Sequence, residues 1–271
     1  MSAVALNLAF ETVGSGPPLL VLHGLFGSSS NWRSVARQLA DTHTVHSVDL
    51  RNHGASPWAD SMDYTEMAGD VLQLMDRLGL QQAAVMGHSM GGKTAMALAL
   101  RQPQRVSRLL VVDIAPLSYA DTLTPFAEAM RGADVMAAVS RAEVYGRLQQ
   151  AVPDAGVVPF LMQNLVMHND HFDWRINLMG ISAAMPQLCG FPSSLLGARF
   201  ARPVTVLAGA RSEFVTQRDG AAFRPMFTQV DVHVIADAGH WVHADQPAAF
   251  LYRVQQALQA QAQPARAAQA T

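Results

Sequence analysis

Gly87-His88-Ser89-Met90-Gly91 constrains this chain more than any other stretch. An apolar run, Ala83 to Met86, precedes it, and a helix-like run, Thr94 to Leu100, follows it. A G-x-S-x-G pentapeptide in that setting reads as a sharp strand-to-helix turn that holds a serine hydroxyl out at the edge of a sheet. The glycines have a steric reason. The turn is tight and the first helical turn passes close to neighbouring backbone, so side chains at 87 and 91 would clash. The bare pattern is short, and the rest of the chain has to supply the context.

The context is alternation. Val4 to Thr12 is strand-like, with Leu6, Leu8 and Phe10 on one face, and Leu19 to Leu22 is a short apolar strand ending at His23-Gly24. Asn31 to Leu39 reads as a helix behind serine caps. Thr44 to Val48 is a strand ending in Asp49. Tyr64 to Leu78 has a helical period, Ala83 to Gly87 a strand, Ser89 to Leu100 a helix, and Arg108 to Val112 a strand ending in Asp113. Alternation then stops, and Pro116 to about Ser194 reads as helices with proline and glycine breaks and no clear strand. It resumes with strand Val204 to Ala208, helix Gly220 to Phe227, strand Val232 to Ile235 and helix Gln246 to Leu258, whose end frays beyond Pro264. This pattern predicts a mostly parallel sheet with helices on both faces. In such sheets ligands bind at the carboxyl ends of the strands. His23-Gly24, Asp49, Ser89, Asp113, Ser212 and His240 all fall there. The expected organisation is a core made of residues 1–117 and 195–271, with 118–194 as a helical cap insertion over the strand ends.

Composition narrows the chemistry. Half of the 271 residues are hydrophobic, 15% are charged, and the net charge is -2 without basic clusters, which argues against nucleic acid as a partner. Met1 to Phe10 lacks a basic leader, and the longest uncharged stretch, between Glu11 and Arg33, is broken by glycines, prolines and serines, so neither a signal peptide nor a membrane span is expected. One cysteine, Cys189, cannot form an internal disulfide, which suits a reducing, cytoplasmic setting. No histidine or cysteine spacing suggests a metal, and no cofactor is expected. His168 and His171, flanking Asn169-Asp170, read as a solvated loop. The oligomeric state is not legible.

A serine hydroxyl becomes a useful nucleophile only when a histidine takes its proton and an acid orients that histidine. Of the ten histidines, His240 alone lies just after the last strand, in Asp237-Ala238-Gly239-His240-Trp241. His243 is the nearest competitor, closer to the helix that begins near Pro247. Asp49 and His53 read as shaping a turn, and Lys93 as a residue on the helix surface.

With Ser89 and His240 in hand, the chain resembles the α/β-hydrolase superfamily over almost its whole length. The resemblance rests on His23-Gly24-Leu25-Phe26-Gly27, Asp49-Leu50-Arg51-Asn52-His53-Gly54-Ala55-Ser56, the serine turn and Gly239-His240-Trp241. Val112-Asp113-Ile114-Ala115-Pro116 and His240-Trp241-Val242-His243-Ala244-Asp245 are most similar to small bacterial YbfF-type esterases. The resemblance implies an oxyanion hole made by the backbone N–H of Met90 and of Leu25, with Phe26 the alternative to Leu25. It also implies a triad acid, and here the chain departs from the common pattern. Where an Asp is usual after the seventh strand, the loop reads Gly209-Ala210-Arg211-Ser212-Glu213. Asp113, at the end of the preceding strand, is favoured as the acid, with Glu213 its rival and Ser212 as a hydrogen-bonding auxiliary to His240 or Asp113.

The segment 118–194 carries Phe126, Met130, Met136, Phe160, Met162, Met167, Phe172, Trp174, Met179 and Met185. Most are expected to pack helices onto the core, and some to line an adaptable acyl site. Arg131, Arg141, Arg147 and Arg175 are dispersed, which favours a neutral ester or thioester over a polyanion. The expectation is therefore a serine carboxylesterase for short- to medium-chain acyl groups, acting through an acyl-enzyme on Ser89. A C–C bond hydrolase or a menaquinone-pathway-type lyase on the same fold is the alternative.

Overall fold

The apolar runs gather into one seven-stranded sheet with helices packed on both faces. The structure, a computed structural model, describes residues 5–152, 154, 156–215 and 220–259. In chain order the elements are β1 (Phe10–Val13), β2 (Pro18–Leu22), α1 (Arg33–Leu39), β3 (Thr44–Val48), α2 (Tyr64–Arg77), β4 (Ala83–His88), α3 (Met90–Arg101) and β5 (Val106–Val112). The segment that follows contributes α4 (Thr124–Gly132), α5 (Arg141–Ala151), α6 (Val157–Leu161), β6 (Leu165–His168), β7 (His171–Trp174) and α7 (Leu178–Cys189). The chain then returns with β8 (Phe200–Gly209), α8 (Gly220–Phe223), β9 (Phe227–Ile235), α9 (Val242–Asp245) and α10 (Pro247–Gln259).

The strand order is β1-β3-β2-β4-β5-β8-β9, and only β1 runs antiparallel to its neighbour. From β2 the chain moves to one side to make β3, then crosses to the other to make β4. The order therefore reverses between β2 and β4, where a crevice opens at the carboxyl ends of the strands. His23-Gly24 leaves β2 at that point and Ser89 leaves β4. The central strands are buried on both faces because α1 and α10 pack on one side and α2 and α3 on the other.

Helix ends follow their sequence signals. Asp63 caps α2 by accepting from Glu66 N–H at 2.8 Å, and the Glu66 carboxylate accepts in return from Asp63 N–H. Ser28 and Asn31 form the same reciprocal box ahead of α1, around a short 3-10 turn over Ser29–Trp32.

The loop after β3 is fixed by buried charge. Arg51 is 2% exposed and forks onto Asp70 with Nε–Oδ2 at 2.7 Å and Nη2–Oδ1 at 2.9 Å. Its Nη1 also reaches Glu66 Oε2 at 2.8 Å. Arg51→Ala would leave the fully buried Asp70 carboxylate without its cation. The expected result is a loss of about 3–5 kcal/mol in urea unfolding. A loss below about 1 kcal/mol, the size of an exposed pair, would contradict this account.

Three expectations about the elements need correction. Among the described residues the first strand begins at Phe10, Val4 itself lying outside them; Leu8 is buried and Leu6 packs on the core without ladder pairing. The segment 118–194 is not wholly helical, since β6 and β7 form an antiparallel hairpin turned by Asn169, at φ +52°, and Asp170. Each strand has four residues, too few to display alternation, and the Asn-Asp turn was the readable signal. The helix expected over Gly220 to Phe227 stops at Phe223, and β9 takes over from Phe227. The fraying expected beyond Pro264 lies outside the described residues. Among those residues no helix is long and apolar enough to cross a membrane.

Candidate active site

Ser89 sits in the turn between β4 and α3 at φ 51°, ψ -117°, a backbone conformation that costs a non-glycine residue about 1–3 kcal/mol. The neighbouring glycines make the turn feasible. A Cβ on Gly87 would land on the Gly91 carbonyl, and one on Gly91 would lie 2.5 Å from the carbonyl oxygen of His23. Ser89 N–H donates to Val112 O at 3.0 Å, tying the turn to the end of β5.

Asp113 follows that strand end, also at positive φ (52°), and is fully buried. Its Oδ1 accepts from Gly209 N–H at 2.9 Å. Its Oδ2 accepts from Ser212 Oγ and from His240 Nδ1, the latter at 2.7 Å. Because a carboxylate only accepts, His240 carries its proton on Nδ1, which leaves Nε2 as the acceptor. The His240 side chain is 21% exposed and lies against Phe214, with ring centres 4.2 Å apart. No hydrogen bond joins Ser89 Oγ to His240; such bonds commonly tighten only when substrate is bound. Glu213 does not share this cluster. It is exposed and makes neither hydrogen bond nor ion pair with His240, because one residue beyond Ser212 the chain turns its side chain to solvent.

Two buried histidines shape the loop opposite. His23 Nε2 accepts from Leu50 N–H at 3.0 Å while its Nδ1 donates to Gly24 O at 2.8 Å. His53 Nε2 accepts from Phe26 N–H at 3.1 Å and its Nδ1 donates to Arg51 O at 2.9 Å. Accepting from a backbone N–H requires a neutral ring. Burial enforces it, lowering the pKa of His23 and pushing that of His53 down to about 3. The consequence separates Leu25 from Phe26. The Phe26 N–H is already taken by His53, whereas the Leu25 N–H has no acceptor among the described residues. Met90 opens α3, and its N–H has no carbonyl four residues back within the helix. Asp49 braces the same region by accepting from Ser29 N–H at 2.6 Å and Ala55 N–H at 2.8 Å.

His88, the residue before Ser89, went unremarked in the sequence. Its Nε2 donates to the backbone carbonyl of His240 at 2.9 Å. Its Nδ1 faces Gly24, where an added Cβ would lie 2.8 Å away. One buried ring thus touches the loops that carry Leu25 and His240. Burial first, then His240 and His243 nearby, hold its pKa well below the ordinary histidine value. His243 stacks on Trp32 at 4.4 Å and burial lowers its pKa to about 4; it makes no bond to Asp113.

Ser89 and His240 both line a cavity of about 1110 Å³. The segment 118–194 supplies Leu123, Phe126, Val157, Phe160 and Arg175 to its wall. Of the aromatic and methionine residues expected there, Phe126 and Phe160 do line it, but the methionines do not. Met130, Met162 and Met185 are buried in packing, and Met136, Met167 and Met179 are exposed. Asn164 Nδ2 donates to Phe26 O at 2.8 Å and Asn31 Nδ2 to Gln163 Oε1 at 2.7 Å, so this segment is bonded to the loop beside Ser89. Lys93 is not a surface residue as expected; it is 2% exposed.

The profile of a family described as alpha/beta hydrolase fold matches residues 17–247. The chain belongs to the α/β-hydrolase family. Esterase YbfF of Escherichia coli (strain K12) is 33% identical over 260 residues, covering 93% of this chain and 98% of that protein. The sn-1-specific diacylglycerol lipase ABHD11 of Danio rerio is 37% identical over 250 residues, covering 89% of this chain and 78% of the lipase. Among solved structures, a marine microorganism esterase superposes with a TM-score of 0.90 at 33% identity, covering 93% of this chain and all of that one. The chain is thus a hydrolase of this fold, similar to YbfF-type esterases.

Proposed function

We propose that this hydrolase is a serine carboxylesterase for short- to medium-chain acyl esters or thioesters, with Ser89 as nucleophile, His240 as base and Asp113 as orienting acid. The observation that carries the reading is the 2.7 Å bond from His240 Nδ1 to Asp113 Oδ2, which frees Nε2 to face the substrate cavity. In the first half-reaction His240 Nε2 takes the Ser89 hydroxyl proton as Oγ bonds to the acyl carbon. The carbonyl oxygen becomes an oxyanion facing the N–H groups of Leu25 and Met90, each worth roughly 3 kcal/mol at such a position. Collapse breaks the bond to the leaving oxygen or sulfur, which receives the proton from His240. Water then repeats the sequence. His240 takes its proton, the hydroxyl adds to the acyl carbon, and Ser89 leaves with the proton returned.

Ser212 supports the acid from the β8 loop, standing where an Asp is usual and donating to Asp113. The segment 118–194 acts as a cap over the strand ends, the rest of the chain forming the core. His88 is a positioning residue, holding the His240 carbonyl from inside. His88→Phe keeps a ring of similar bulk but removes this donor. The expected outcome is kcat reduced about 10- to 100-fold with KM little changed. An unchanged kcat would reduce His88 to packing. The reading as a whole is tested by steady-state turnover of p-nitrophenyl butyrate in wild type and Ser89→Ala, where undiminished turnover in the variant would overturn it.

A further inference from the structure

Lys93 is the only lysine in the chain, and it is buried one helical turn beyond Ser89. Its Nζ donates to Gly190 O at 2.6 Å and Cys189 O at 3.2 Å. It also lies over the Tyr119 and Tyr64 rings, 4.8 Å and 5.5 Å from their centres. Carbonyls and ring faces solvate an ammonium but do not neutralise it, and no carboxylate among the described residues pairs with it. The third N–H of the ammonium has no acceptor among the described residues. A buried cation without a counter-ion is costly. Burial accordingly lowers its pKa to about 8.

The position of this cation gives it a direction. Ser89 borders two cavities. His240 lines the large one, while Met90 and Lys93 line a second of about 30 Å³, together with Leu25, Tyr64 and Ile114. In the tetrahedral intermediate the leaving group must face His240, which protonates it, and the oxyanion faces Leu25 and Met90. His240 does not line the small cavity, so the leaving group stays in the large one and the small one is open to the acyl chain. That space holds about two waters, the size of a carboxylate group.

We infer that the cavity between Ser89 and Lys93 is the acyl subsite, and that it takes a short acyl chain ending in a carboxylate, bound by the Lys93 ammonium. The inference rests on Ser89 being the nucleophile. It predicts esters in which the acid part is small and anionic and the alcohol or thiol part is large.

The test compares monoethyl succinate with ethyl isocaproate, whose isopropyl end has the shape of the carboxylate. The expected wild-type preference for the half-ester is about 10- to 100-fold in kcat/KM, the scale of a hydrogen bond to a charged group. In Lys93→Met the ratio falls to one or below. Because that variant can fail to fold, the wild-type ratio is also followed with pH. It falls as pH rises through about 8, where the free enzyme's Lys93 loses its proton. The other titratable groups beside the ammonium are Tyr119 and Tyr64, whose rings face it, and Cys189; burial raises the pKa values of Tyr64 and Cys189, away from about 8. Any pH effect on the steps common to both esters cancels in the ratio. Turnover of the neutral ester with no preference for the half-ester would overturn the inference and leave the esterase reading standing. A preference that survives Lys93→Met, or is flat through about pH 8, would also overturn it. Turnover of neither ester, with p-nitrophenyl butyrate also inert, would overturn both.

Discussion

Ser89→Ala is expected to lower kcat/KM for p-nitrophenyl butyrate by about 10⁴-fold or more, because no acyl-enzyme can form and only binding and the oxyanion donors remain. The substitution removes one oxygen and keeps the Cβ that the turn at φ 51° already accommodates. The melting temperature should therefore stay within about 2 °C of wild type. A large fall in both activity and melting temperature would mean that the Ser89 hydroxyl holds the turn together. Activity that persists would mean that another group attacks the ester.

Asp113→Asn is expected to have the next largest effect, about 10⁴-fold in kcat. The physical cause is a tautomer. Gly209 N–H donates to Oδ1, so an Asn would keep its carbonyl there and turn its NH₂ toward His240. His240 Nδ1 would then have to accept, moving its proton to Nε2, where it could not receive one from Ser89. Ser212 would lose its acceptor as well. Glu213→Gln, an exposed change with no bond to His240, should leave kcat within about twofold. If Glu213→Gln were the damaging change and Asp113→Asn mild, the assignment of the acid would be reversed.

The fold was readable because its signals are redundant. Leu19 to Leu22, Ala83 to Met86 and Leu109 to Val112 are continuous apolar strands, followed by His23, Gly87 and Asp113. Where the sequence left a choice, long-range contacts decided the geometry. Asp113 and Glu213 are equally acidic on paper, and only the pairing of β5 with β8 brings Gly209 and Ser212 onto Asp113. Leu25 and Phe26 differ in that His53, 27 residues away, occupies one N–H. Lys93 was misread for a related reason. A lysine on a helix usually has a solvated side, but α3 has none along most of its length, since strands cover one side and Tyr64, Tyr119 and the end of α7 another. The hairpin in segment 118–194 escaped because four-residue strands carry almost no period.

The most direct test of the central claim is to find the acyl group itself. Wild-type enzyme turning over p-nitrophenyl butyrate is quenched in acid, digested with trypsin and weighed by mass spectrometry. Cleavage after Arg77 and Lys93 releases the peptide Leu78–Lys93, in which Ser89 is the only hydroxyl side chain. The account predicts a butyryl group on this peptide at Ser89, absent in Ser89→Ala and accumulating in a variant slowed at deacylation. A butyryl group on any other residue, at a rate that matches turnover, would contradict it.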